Sequence, residues 1–177
     1  ICTFDGQGHV IYGMYMECNG MPSWNSNSGL FGDVGDSAVI RNVGIRASVM
    51  DRQNYDTRGQ STDAFRYWRR CGYSDDQMGY IGLLAGMVKG NCTIEQCFTE
   101  GNILQHGSTE GGRRSAGFIG SAGAYAKTVR ISNCYSRVNT YYTSDYDTLI
   151  TSLPSNYGFA VLENKVHITN CYNTGVS

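Results

Sequence analysis

Three acidic pairs are the first residues whose type and spacing could do chemistry: Asp75 with Asp76, Asp145 with Asp147, and Asp51 with Asp56. Hydrolysis of a sugar polymer needs two carboxylates facing one glycosidic bond, one as acid and one as base or nucleophile. A polysaccharide lyase would want acidic Ca²⁺ ligands beside an Arg or Lys base. Ca²⁺ is therefore the one cofactor this reading leaves open, and no other is expected. Loop aspartates also close turns through their own side chains, and that plainer role is the expected one here. His9, His106 and His167 share no spacing with an acid or a nucleophile, and no Cys-x-x-Cys pair occurs. No metal site and no catalytic residue is assigned, and the chain is expected not to be an enzyme, with a polysaccharide lyase or glycosidase as the minority reading.

A second group of residues suits recognition. The run Phe65-Arg66-Tyr67-Trp68-Arg69-Arg70-Cys71 joins three aromatics to three arginines. Arg66, Tyr67, Trp68 and Arg69 could stack on sugars or fork onto acidic groups. The alternative is an amphipathic helix over Ser61–Arg70 that flanks the domain with its arginines solvated. Tyr141, Tyr142 and Tyr146 form a similar tyrosine-rich stretch, since Tyr gives rigid amphipathic contact area but is also common in strands. Asn91-Cys92-Thr93 is a glycosylation sequon in a eukaryotic chain, and otherwise reads as a turn entering a strand.

These residues interrupt a repeat. Cys92–Gly101, Val129–Ser136 and Val166–Gly175 are variants of one short unit: Ile94, Ile131 and Ile168 recur every 37 residues. Cys97, Cys134 and Cys171 follow each isoleucine three positions on, and an aromatic follows next. A fixed period carrying one strand-like unit is the mark of stacked repeats. Ile40 with Val43, and Ile11 with Met14, fit the same rhythm. A Gly-plus-apolar element precedes the units at Gly29–Gly32, Gly82–Gly86, Gly117–Gly120 and Gly158–Val161, either for close backbone approach at a corner or for φ > 0. A weaker third strand follows each unit. The expected fold is thus all-β: a right-handed parallel β-helix of about 4–5 irregular coils in a single domain, 1–177. Two corner insertions are expected, at about 50–78 and 139–157. The abrupt start at Ile1 and the stop just after a repeat unit read as a processed chain or a fragment of a longer array.

In such a stack Ile94, Ile131 and Ile168 form one inward column and Cys97, Cys134 and Cys171 another, of small buried thiols. Disulfides among these three are the alternative. Cys2, Cys18, Cys71 and Cys92 lie outside the column, and a Cys2–Cys18 or Cys18–Cys71 bridge would fit an oxidising compartment. Asn133 and Asn170 are expected to bond to one another along the stack. Charged residues make up only 16% of the chain and the net charge is −1, too little positive charge for a nucleic-acid binder. No apolar run of membrane-spanning length occurs, so no membrane insertion is expected.

The segments 29–45 (GLFGDVGDSAVIRNVGI) and 166–176 (VHITNCYNTGV) resemble GLUG-type repeats, and 4–16 (FDGQGHVIYGMYM) resembles the segment that leads into such repeats in bacterial surface proteins, including regions beside some IgA-cleaving metallopeptidases. The likeness covers about half of the residues and lapses in the two insertions and at Ala160-Val161. It implies a parallel β-helix on a secreted or cell-surface protein, often an adhesin, and brings no catalytic residues; the His-Glu-x-x-His signature is absent. The expected function is a non-enzymatic surface or adhesion module whose loops meet a protein or glycan on another cell. The alternatives are a fibre subunit that stacks end to end on neighbouring copies of itself, and a polysaccharide-processing enzyme.

Overall fold

A computed structural model describes residues 2–17, 27–52, 80–106, 114–124, 128–143, 155–163 and 165–176. Within them the chain is all-β, without helix, and every strand pairing is parallel. Parallel neighbours cannot be joined by tight hairpins, so each pair is separated by a long stretch of chain. Here that stretch is a whole circuit. One circuit lays down β5 (Ile81–Gly82), β6 (Ala85–Lys89), β7 (Cys92–Glu95) and β8 (Phe98–His106). The next lays down β9 (Arg114–Ala116), β10 (Ile119–Ala124), β11 (Val129–Ser132) and β12 (Tyr135–Thr143). A further one adds β13 (Ser155–Tyr157), β14 (Ala160–Leu162), β15 (Val166–Thr169) and β16 (Tyr172–Asn173). Ahead of them come β1 (Thr3–Tyr12), β2 (Tyr15–Glu17), β3 (Phe31–Val34) and the long β4 (Val39–Arg52).

Equivalent strands of successive circuits pair. The small sheets run β13-β9-β5 and β14-β10-β6-β3. The large sheet has two legs joined by β4: β4-β7-β11-β15 on one and β4-β8-β12-β16 on the other, with β1 and β2 also on β4. In the first leg Ile40 partners Ile94, Ile94 partners Ile131, and Ile131 partners Ile168. Ile40, Ile94 and Ile131 are buried, whereas Ile168, on the last strand, is 38% exposed. Cys97 and Cys134 are buried and Cys171 half-buried, all three unbridged.

Ile11 is a correction to the sequence rhythm. It partners Ile45 in the second leg, and Phe4 holds the position beside Ile40. The register shifts between Asp5 and His9, because Gly6-Gln7-Gly8 spends extra residues on the corner. The second insertion is also shorter than 139–157, since 139–143 extends β12 and 155–157 forms β13. Its remainder, and residues 53–79 with the Ser61–Arg70 segment, lie outside the described residues. The Gly-apolar elements turn between the two small sheets through close approach: a Cβ on Gly117 would sit 2.5 Å from the carbonyl oxygen of Gly158 in the next circuit. Behind them Phe118 and Phe159 stack with ring centres 4.8 Å apart, an attractive arrangement beyond the area it buries.

Between the two legs of the large sheet the four circuits from β4 onward each turn on one residue. Asn42, Gln96, Asn133 and Asn170 all have φ of 53–54°. This left-handed conformation is costly for most side chains and best tolerated by Asn among non-glycines. The Asn170 amide donates to Asn133 Oδ1 at 2.6 Å, and that of Asn42 to Asp5 Oδ1 at 3.0 Å. The following thiol serves the same corner: Cys97 donates to Glu95 O at 3.2 Å, Cys134 to Ser132 O at 3.1 Å and Cys171 to Thr169 O at 3.3 Å. Sharing a hydrogen bond with Cys97, together with burial, pushes the Cys134 thiol far above its usual range. Cys134 thus stays protonated and able to donate. Asn133→Val, which places a β-branched side chain at positive φ, should lower stability by about 1–3 kcal/mol, or roughly 2–12 °C in Tm. Asn133→Gly should cost less, and thermal unfolding followed by circular dichroism compares the two.

Candidate functional site

The second leg carries the most distinctive outward surface. Strand alternation sends one set of side chains in and the next out. In β12, Ser136, Val138 and Thr140 are buried, while Arg137 and Tyr141 are exposed and Tyr135 and Asn139 partly so. Because the strands are in register, the outward residues form columns. Phe98, Tyr135 and Tyr172 are stacked nearly parallel, with centroids 4.9 and 5.1 Å apart and interplanar angles of 3° and 7°. Gly44 occupies this column one strand earlier, where a Cβ would collide with the Phe98 ring. The rings therefore cover much of one another's faces, and Tyr172, at the end of the column, is 50% exposed.

The next column holds Tyr12, Arg46, Glu100 and Arg137. Arg46 donates to both oxygens of Glu100, at 2.7 and 3.3 Å, and the Tyr135 hydroxyl adds a bond at 2.9 Å. Burial opposes the Glu100 charge, but the Arg46 and Tyr135 hydrogen bonds outweigh it and hold the carboxyl below the usual glutamate range. The Arg46 guanidinium lies 5.1 Å over the Phe98 ring and that of Arg137 5.5 Å over Tyr135, within reach of cation–π attraction. A third column runs Tyr15, Val49, Asn102 and Asn139, with Asn139 donating to Asn102 at 3.4 Å. A fourth runs Glu17, Asp51, Leu104 and Tyr141 in backbone register. Of the large apolar side chains exposed in the described residues, Tyr12, Tyr15, Tyr141, Tyr172 and Val176 belong to this leg or its continuation.

Of the residues singled out from sequence, Tyr141 lies on this face, and Tyr142 follows it in β12. Arg66, Tyr67, Trp68, Arg69 and Tyr146 lie outside the described residues, as do Cys18, Cys71 and all of the paired aspartates except Asp51, a β4 residue partnering Leu104. Cys2 is exposed and unbridged. Asn91 sits at an exposed turn, where its own N–H donates to Asp36 and its side-chain oxygen accepts from Thr128 N–H at 3.2 Å. It thereby pins its turn to those of both neighbouring circuits. His9 and His167 are exposed, and His106 ends β8. Among the described residues no three His, Cys, Asp or Glu side chains gather as metal ligands. Sequence reasoning missed Tyr12, Arg46, Glu100 and Arg137; for Glu100 and Arg137 the period-2 alternation after Phe98 and Tyr135 was the available signal.

No protein-family model, curated protein or solved structure matches the chain. The likeness to GLUG-type repeats rests on the residues that carry it.

Glu100 yields a pH signature. A carboxyl with a lowered folded-state pKa contributes stability above its unfolded value and loses it as pH falls. Wild type should exceed Glu100→Gln in Tm at neutral pH, and the gap should close as pH drops through and below 4.5. Paired melts across that range measure it, and a gap independent of pH would contradict the assignment.

Proposed function

We propose that the chain is a right-handed parallel β-helix of four to five irregular coils, and that it serves as a non-enzymatic, extracellular surface module binding a glycan or protein. The outward face of the second leg carries this reading. Tyr12, Tyr15 and Tyr141 are each at least half exposed there, beside arginine and asparagine columns on a rigid parallel sheet. Tyrosine, arginine and amides are the groups that make contact surfaces, and isolated exposed apolar residues are ordinary whereas gathered ones mark interaction sites. The connecting segments 53–79, 107–113 and 144–154 all follow the ends of β4, β8 and β12 on this leg, so the aromatic-rich insertions begin where the face ends. The GLUG-type likeness adds the secreted or cell-surface address.

Immobilised glycans and matrix proteins test the reading. Wild type should be retained on at least one of them, and Tyr12→Ser/Tyr141→Ser should weaken retention by about fivefold or more while leaving the melt nearly unchanged, since both rings are solvent-facing. Retention on none of them, or release of new reducing ends from a polysaccharide, would contradict it.

A second reading, end-to-end assembly, is favoured by a separate observation. Phe4 at the first strand, and Leu162, Ile168 and Val176 at the last circuit, are exposed at 40, 52, 38 and 70%. Strand edges with apolar flanks invite further pairing, and head-to-tail contacts that do not close give filaments. Sedimentation over a concentration series should then show growing species; a monomer at every concentration would remove this reading.

A further inference from the structure

Resting on the binding role proposed above, we infer that the second-leg face recognises a polysaccharide of uronic acids, with Arg137 as its anchoring charge. The column Arg46–Glu100–Arg137 holds two cations and one acid. Both Glu100 oxygens are engaged by Arg46, one of them also by the Tyr135 hydroxyl. Arg137 partners Glu100 in register, is exposed, and makes no ion pair among the described residues; its guanidinium rests over Tyr135. This column therefore holds one cation more than it has acids, although the whole chain has a net charge of −1. A guanidinium offers two parallel N–H donors that match a planar carboxylate, which an ammonium does not. In the neighbouring column Asn139 donates to Asn102 Oδ1 and accepts from the Val176 N–H, which leaves the Asn102 amide nitrogen suited to a hydroxyl group, and Tyr141 closes the face with an exposed ring.

Charge count and repetition narrow the ligand. One exposed guanidinium is far short of the neutralisation that nucleic acid requires. A single exposed Arg–carboxylate pair contributes little by itself, so useful affinity needs several weak contacts made by one chain at once. A polymer with a carboxylate on every sugar can present the next charge wherever the face offers a donor. A monosaccharide cannot.

Polygalacturonate, its fully methyl-esterified form and an uncharged galactan serve as probes in affinity electrophoresis or calorimetry with the full chain. Wild type should bind polygalacturonate and lose about fivefold or more on esterification, in keeping with the loss of charge-assisted pairs. Arg137→Gln should lose a similar factor, Arg137→Lys less, because the charge remains without the fork. Arg130→Gln, an exposed arginine on the other leg, should bind as wild type, and melts of each variant separate lost binding from lost folding. Equal binding of the acid and its ester, or an unchanged Arg137→Gln, overturns the uronate inference. If the uncharged galactan is retained and the tyrosine variant abolishes this, the inference falls while the surface-binding role stands. If no glycan and no protein is retained, both fall.

Discussion

Each circuit must bend at the same place, and from β4 onward one left-handed residue makes that bend possible. Asn42, Gln96, Asn133 and Asn170 share the conformation within a degree, and the order of the large sheet depends on it. The bend aims the isoleucine strand and the aromatic strand along two legs while keeping both in register with the circuits on either side. The carbonyls that lead into it stay in the ladder: Ser132 O accepts the Gln96 N–H and Thr169 O the Asn133 N–H, each at 3.1 Å. A carbonyl has two lone pairs, and the thiol three positions after the isoleucine adds a second, weak donor to the same carbonyls. Cysteine fits because it is small, packs as an apolar group and carries one weak proton donor. The corner thus explains three features of the repeat together: the asparagine, the cysteine that follows it, and the absence of bridges among Cys97, Cys134 and Cys171.

The scaffold and the candidate surface share this origin. Register that stacks Ile94 on Ile131 inside also stacks Phe98 on Tyr135 outside. Ring stacking and the Arg46–Glu100–Tyr135 cluster then fix the outward side chains in place, so a ligand would meet groups that have already lost much of their rotamer freedom. Gly44 is part of the same arrangement, because its missing side chain leaves room for the Phe98 ring under Arg46.

Much of the inner frame was legible in the letters. Two equal intervals of 37 residues, with isoleucine, cysteine and an aromatic in fixed order, identify which strands lie side by side. The first circuit was not legible, because Gly6-Gln7-Gly8 displaces its later half and puts Ile11, a plausible column residue, against Ile45. The positive φ at the corner was hidden as well: Asn133 and Asn170 suggested an amide ladder, yet Gln96 in the same position shows that the backbone turn is the shared requirement. The outward face escaped because its members come from far apart. Arg46 and Glu100 are 54 residues apart, with an insertion between them that no period spans.

One residue per circuit stacks in a fixed order, Ile40 on Ile94, Ile94 on Ile131, Ile131 on Ile168. Isoleucine methyl labelling with nuclear Overhauser spectroscopy tests it most directly. Parallel neighbours lie about 4.8 Å apart and second neighbours about twice that. Cross-peaks should link each successive pair, and none should join Ile94 to Ile168. Missing cross-peaks between successive members, or a strong one between Ile94 and Ile168, would contradict the stacked register on which the fold, the corner and the outward face all rest.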